Sequence, residues 1–106
     1  MSEPNFNFLS LPDFLLADIE KRIIILRSDL RHGDPSVLID QLRRLTKVRG
    51  NFAFDLISSI AWAAEVVCTT AAGSARSLNH VEVQSLSHAF DAMDRARRTA
   101  ILSAAA

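Results

Sequence analysis

Apolar residues recur along this chain at intervals of three and four, the period of a helix that buries one face. Leu15, Ile19, Ile23, Leu26 and Leu30 predict a first helix over about 10–32, with Ser10 as N-cap, Pro12 and Asp13 in its first turn and Gly33 as its stop. Asp34-Pro35 reads as N-cap and first residue of a second helix, about 34–49, with the stripe Leu38, Leu42, Leu45. Gly50-Asn51 either breaks or bends the chain there. A third helix, about 51–72, starts with Asn51 as cap and ends before Gly73, with Ala53, Leu56, Ile57, Ile60, Ala64, Val67, Cys68 and Ala71 on one face. A fourth, about 79–102, opens on Asn79 with Glu82 three residues on, a capping-box pattern, and carries Val83, Leu86, Phe90, Met93 and Ile101. Four helices on short loops predict an all-α, antiparallel four-helix bundle, one domain over 10–106. Residues 1–9, where Phe6 and Phe8 alternate with Asn5 and Asn7, read as an extended N-terminal arm.

The pattern leaves apolar residues over. At about 100° per residue, Trp62 and Val66 fall opposite the third helix's stripe, among Asp55, Ser58, Glu65 and Thr69. Phe14 and Ile25 project together away from Ile19 and Leu30, and Ile24 points to a third side. Ser85, Ala89, Ala92, Ala96 and Ala100 form a ridge of small residues that lets another helix come close. Steeply crossing helices, or single exposed hydrophobes of the ordinary kind, would account for these positions. A contact with a second chain accounts for them together, since Trp and Phe are enriched at interfaces. Trp62, Val66, Phe14, Ile24, Ile25, Phe6 and Phe8 are therefore the expected protein interface, and a homodimer is the commonest way to use one.

Composition narrows the class further. The 106 residues are 49% apolar, and twelve basic side chains cancel twelve acidic ones. Disorder and nucleic-acid binding by bulk charge are both disfavoured. A compact chain of this length has a radius of gyration near ~13 Å. Cys68 is the one cysteine, so a disulfide scaffold is excluded. The sequence opens without a basic segment and apolar core of signal-peptide type, and a cytoplasmic address is expected. The stretch 52–72 is the most lipid-like. Asp55 and Glu65 would each cost roughly 2.5–3.5 kcal/mol at a membrane centre, so it reads as a soluble helix. Ten Arg against two Lys, with fifteen Ala and no Tyr, suggest a GC-rich bacterial composition.

The sequence presents no catalytic constellation. Gly33, Gly50 and Gly73 are isolated at helix ends and form no phosphate loop. No glutamate stands three residues before a histidine, as bundle metal sites require. Cys68 sits on an apolar stripe, where a thiol is inert. Asp91 and Asp94 each have an arginine four residues on. The expectation is a protein that is not an enzyme and carries no cofactor or metal. His88 gives the chain a resemblance to histidine phosphotransfer domains in size and architecture. Those domains, however, carry Lys three residues after the accepting histidine and a small residue after that, and here Asp91 and Ala92 occupy those places. Arg43, Arg44, Lys47 and Arg49, with Arg95 and Arg98, are candidate anion or nucleic-acid contacts, although cations at helix C-termini are also what the dipole favours. Arg97 lies inside the fourth stripe, either snorkelling to solvent or meeting an acid such as Asp55 or Glu65.

These features favour a small non-catalytic bacterial regulator or adaptor acting through protein–protein interaction, of the antiactivator, inhibitor, immunity or chaperone type. A nucleic-acid-binding regulator is the alternative, and a phosphotransfer bundle the third.

Overall fold

The computed structural model describes the backbone of residues 2–50 and 52–105 and the side chains of residues 14–50 and 52–101. Among these the chain forms four helices and no strand: α1 (Ser2–Leu30), α2 (Pro35–Leu45), α3 (Phe52–Gly73) and α4 (His80–Ala105). α1 packs on α2 and α4, and α3 packs on the same two, while the diagonals α1–α3 and α2–α4 do not touch. The result is a four-helix bundle. Leu38, Leu42 and Leu45 of α2, Ile19 and Leu26 of α1, Ile57 of α3, and Phe90 and Met93 of α4 are fully buried at its centre.

The molecule is a rod of 55 × 20 × 20 Å with a radius of gyration of 15.2 Å, larger than the compact-globule expectation. Helix lengths explain this. At 1.5 Å per residue α1 is about 43 Å long and α2 about 16 Å, so α1 outruns its neighbour. Its backbone is already helical at residues 2–9, where an extended arm was expected. A lone Phe-Asn alternation has no strand to pair with, and Pro4 stands in the first turn, where no N–H is needed. Ser10 is thus interior rather than a cap. The side chains of Phe6 and Phe8 and the cap position Asn51 lie outside the described residues.

Helix ends follow local chemistry closely. Asp34 caps α2, its carboxylate accepting from the Ser36 N–H at 2.9 Å, and Pro35 follows as the first helical residue. Gly33, at φ +68°, provides the left-handed turn after α1. The Leu78 N–H donates to the Gly33 carbonyl at 2.9 Å, tying the α1–α2 loop to the α3–α4 loop. α2 ends at Leu45, four residues short of expectation, and the chain breaks rather than bends. Gly50 sits at φ +142°, and a Cβ there would come within 3.1 Å of the Phe54 ring. Gly73 is still helical, and the left-handed residue after α3 is Ala75, at φ 53°.

At the start of α4 the capping box is complete. The Glu82 N–H donates to Asn79 Oδ1 at 2.8 Å and the Asn79 N–H to Glu82 Oε1 at 2.9 Å. Arg76 adds two bonds of 2.7 Å to the same carboxylate. The Arg76 bonds first, then the Asn79 N–H, pull the Glu82 carboxyl down to about 2. A depressed folded-state pKa gives stability that is present above the unfolded value near 4.3 and is lost as pH falls toward 2. Nuclear magnetic resonance titration should find the Glu82 midpoint near 2 in the native protein. In Arg76→Gln it should move up toward the ordinary glutamate range, and an unmoved midpoint would rule out this cause.

Candidate interaction surface

α3 buries mostly small residues, with Phe54 and Ile57 as the large exceptions, and turns several large ones outward. Its buried face is Ala53, Phe54, Ile57, Ser58, Ala61, Ala64, Cys68 and Ala71. The stripe expected from the sequence is therefore rotated: Leu56 is exposed, and Ile60 and Val67 are only partly buried. Small residues let α3 lie close to its neighbours, as the partly buried Ala89 and the buried Ala96 do on α4. Bulk that cannot fit inside turns outward.

The outward face of α3 consequently carries Phe52 (82% exposed), Trp62 (64%), Val66 (44%) and Leu56 (41%). Trp62 and Val66 stand where the sequence places them. Phe52 and Leu56 are the members it missed. The signal was present in the spacing: Phe52, Leu56, Ser59, Ala63, Val66 and Thr70 are separated by 4, 3, 4, 3 and 4 residues, a heptad seam. All six are exposed. Beside this seam Trp62 closes a shallow hollow with Thr46, Arg49, Ser58 and Ser59.

α1 has its own exposed apolar residues, Phe14 at 79% and Ile24 at 61%, whereas Ile25 is half-buried. Because α1 and α3 are diagonal, their outward faces look in opposite directions. The residues expected to make one interface therefore belong to two surfaces, of which α3 holds the larger apolar set.

The basic candidates are largely engaged within the fold. Arg43 pairs with Glu65 of α3 at 2.8 Å, Arg44 with Asp40 at 3.4 Å and Arg98 with Asp94 at 3.0 Å. Arg49 donates to the carbonyls of Thr46 (2.8 Å) and Val48 (2.7 Å) and to Ser58 Oγ (2.7 Å), closing the C-terminal end of α2. Ser58 in turn donates to the Thr46 carbonyl at 2.6 Å, so its buried hydroxyl is satisfied. Among the described residues Lys47 and Arg95 form no ion pair. They lie on opposite sides of the bundle, one after α2 and the other on α4, so no continuous cationic patch results.

Arg97 is buried and bonds Asp94 through Nε at 3.0 Å and Nη2 at 2.9 Å, with Glu20 of α1 at 3.7 Å. Asp55 and Glu65, the acids expected for it, are not its partners. Asp91 pairs with Arg27 of α1 at 2.8 Å rather than with Arg95. Asp18 does pair with Arg22 at 2.8 Å, and Arg22 also reaches Gln41 of α2 at 2.8 Å. Cys68 is fully buried, and burial first, then Glu82 and Glu65, pushes its thiol up to about 11. A thiol held protonated in this way is a poor nucleophile. Among the described residues no group of three or more His, Cys, Asp or Glu is placed to hold a metal ion.

Compared with family models, curated proteins and solved structures, the chain matches none of them.

Proposed function

We propose that this protein is a small non-catalytic regulator or adaptor of the bacterial cytoplasm that acts by binding protein, itself included, through the outward face of α3. The observation that carries the reading is the exposure of Phe52, Leu56, Trp62 and Val66 along one helix that already buries a second face, from Ala53 to Ala71, in the core. Contiguous apolar surface of this kind marks interaction sites on folded chains. An antiparallel pairing of α1 with α4 is supported by the order of the ion pairs between them. Glu20 meets Arg97 and Arg27 meets Asp91, so stepping back along one helix steps forward along the other. Nucleic-acid binding draws little support, since four of its six candidate cations are held by carboxylates or helix carbonyls.

Trp62→Ala should weaken association by more than ~1 kcal/mol, about five-fold in Kd, if the indole is a hot spot. Val66→Glu, which places a charge in the seam, should abolish it. Both positions are exposed, so circular dichroism and melting should stay native. Sedimentation and affinity capture with the full chain as bait provide the measurement. Unchanged association by both folded variants would sink the proposal.

A further inference from the structure

We infer that the outward face of α3 is covered by the same face of a second copy, running antiparallel to it about a two-fold axis level with residue 61. This rests on the interaction reading above and names its partner.

The seam supplies the first argument. In an antiparallel pair with heptad spacing, the residues of the two α3 helices meet in layers whose numbers sum to a constant. With the axis at residue 61, Phe52 meets Thr70 of the second copy, Leu56 meets Val66, and Ser59 meets Ala63, each layer occurring twice. Two crossing helices are closest at the crossing point and diverge outward. The small layers, Ser59 with Ala63, fall at the crossing, and the layers holding Phe52 fall at the ends. A parallel pair would instead stack Phe52 on itself at one end and Thr70 on itself at the other, leaving the helices wedged apart unevenly.

Charge supplies the second. α3 itself has no cation, its Glu65 is paired with Arg43, and its other carboxylate, Asp55, lies beside the seam rather than in it, while Arg49 beside Trp62 is turned onto the Thr46 and Val48 carbonyls. In the antiparallel register the nearest residue across from Asp55 is Thr69, a hydroxyl. The two Asp55 carboxylates stand about 18 Å apart along the helix, beyond a Debye length at physiological salt. An identical face thus meets its copy without burying or opposing a charge.

Area supplies the third. α3 is about 33 Å long, and the bundle is 20 Å across. Contact over the whole of that side, the α2 and α4 rims included, would remove up to roughly 1,300 Å² from water over both copies, the lower end of the range of specific interfaces. Pairing α3 with the opposite face on α1 would be head-to-tail and would propagate into a filament, whereas a two-fold contact closes.

The test uses the full chain. Sedimentation of the wild type at micromolar concentration should give twice 11.7 kDa. Under mild oxidation, a mixture of the Ser59→Cys and Ala63→Cys chains should form a covalent dimer, and each variant alone several-fold less. The native Cys68 is buried and stays silent. Equal cross-linking by Ser59→Cys alone would mean a parallel pair and overturn the inference. A monomer mass would also overturn it, and so would flotation with phosphatidylcholine vesicles in place of dimerisation. If the wild type is monomeric yet loses its captured protein on Val66→Glu, only the inference fails. If a dimer survives Val66→Glu, the interaction reading fails with it.

Discussion

Phe90→Ala should lower the stability of the fold by about 3–5 kcal/mol. The ring is 0% exposed at the centre of the bundle, surrounded by buried residues of all four helices. Truncating it removes apolar contact and leaves a cavity that rigid helices fill only in part. A domain of this length holds about 5–15 kcal/mol in total, so the loss takes from about a fifth of it to all of it. In urea the midpoint should fall by roughly 2 M or more with an unchanged slope. Phe14→Ala is the matched control. Phe14 is 79% exposed, and the same truncation there should stay within about 0.5 kcal/mol. A loss below ~1 kcal/mol for Phe90→Ala would mean that the ring is not at the packed centre.

Asp94→Ala should cost about 2–4 kcal/mol, more than removing the arginine it binds. Its Oδ1 accepts both Arg97 bonds, and its Oδ2 takes Arg98 at 3.0 Å. Without it the buried Arg97 guanidinium keeps only Glu20, at 3.7 Å and half-exposed. Arg97→Met behaves differently. The thioether fills the same space beside Ile23 and Ile24, which line the same hollow, and Asp94 keeps Arg98. The double variant Asp94→Ala/Arg97→Met should recover most of the loss, the result of a pair whose cost lies in stranding one charge. Thermal melts of the three variants measure it. An Arg97→Met penalty equal to that of Asp94→Ala would show that the pair itself, rather than a stranded cation, carries the stability.

What could be read from the sequence was whatever depends on neighbours a few residues apart. Asp34-Pro35, Asn79 with Glu82 and Gly33 fixed three helix ends, because capping bonds span two or three residues. The α2 stripe was legible for the same reason: its remaining positions are mostly polar, and Val37 and Ile39 alone compete with Leu38, Leu42 and Leu45. α3 was not, because it is apolar almost all round and periodicity cannot rank its faces. Which side is buried there is decided by how closely the neighbouring helices approach, and that favours alanine over leucine. This put Leu56 on the wrong side and hid Phe52. Asp94, three residues before Arg97, lay within local reach, but the second acid beside it was illegible. Glu20 lies far away in the chain, and only the level at which α1 and α4 pack brings the two together. Trp62 and Val66 were found because polar neighbours marked their side of the helix.

The cyclic order of contacts bears on how the chain reaches this state. α2 packs on α1, α3 on α2 and α4 on α3, each joined by a few residues, so three of the four helix pairings form between chain neighbours at little loop-closure cost. Only α1 with α4 joins the two ends of the sequence. The entropy of closing the chain is therefore concentrated in one docking step, with Arg27–Asp91 and Glu20–Arg97 as its electrostatic latch. The bundle belongs among the topologies that fold fast.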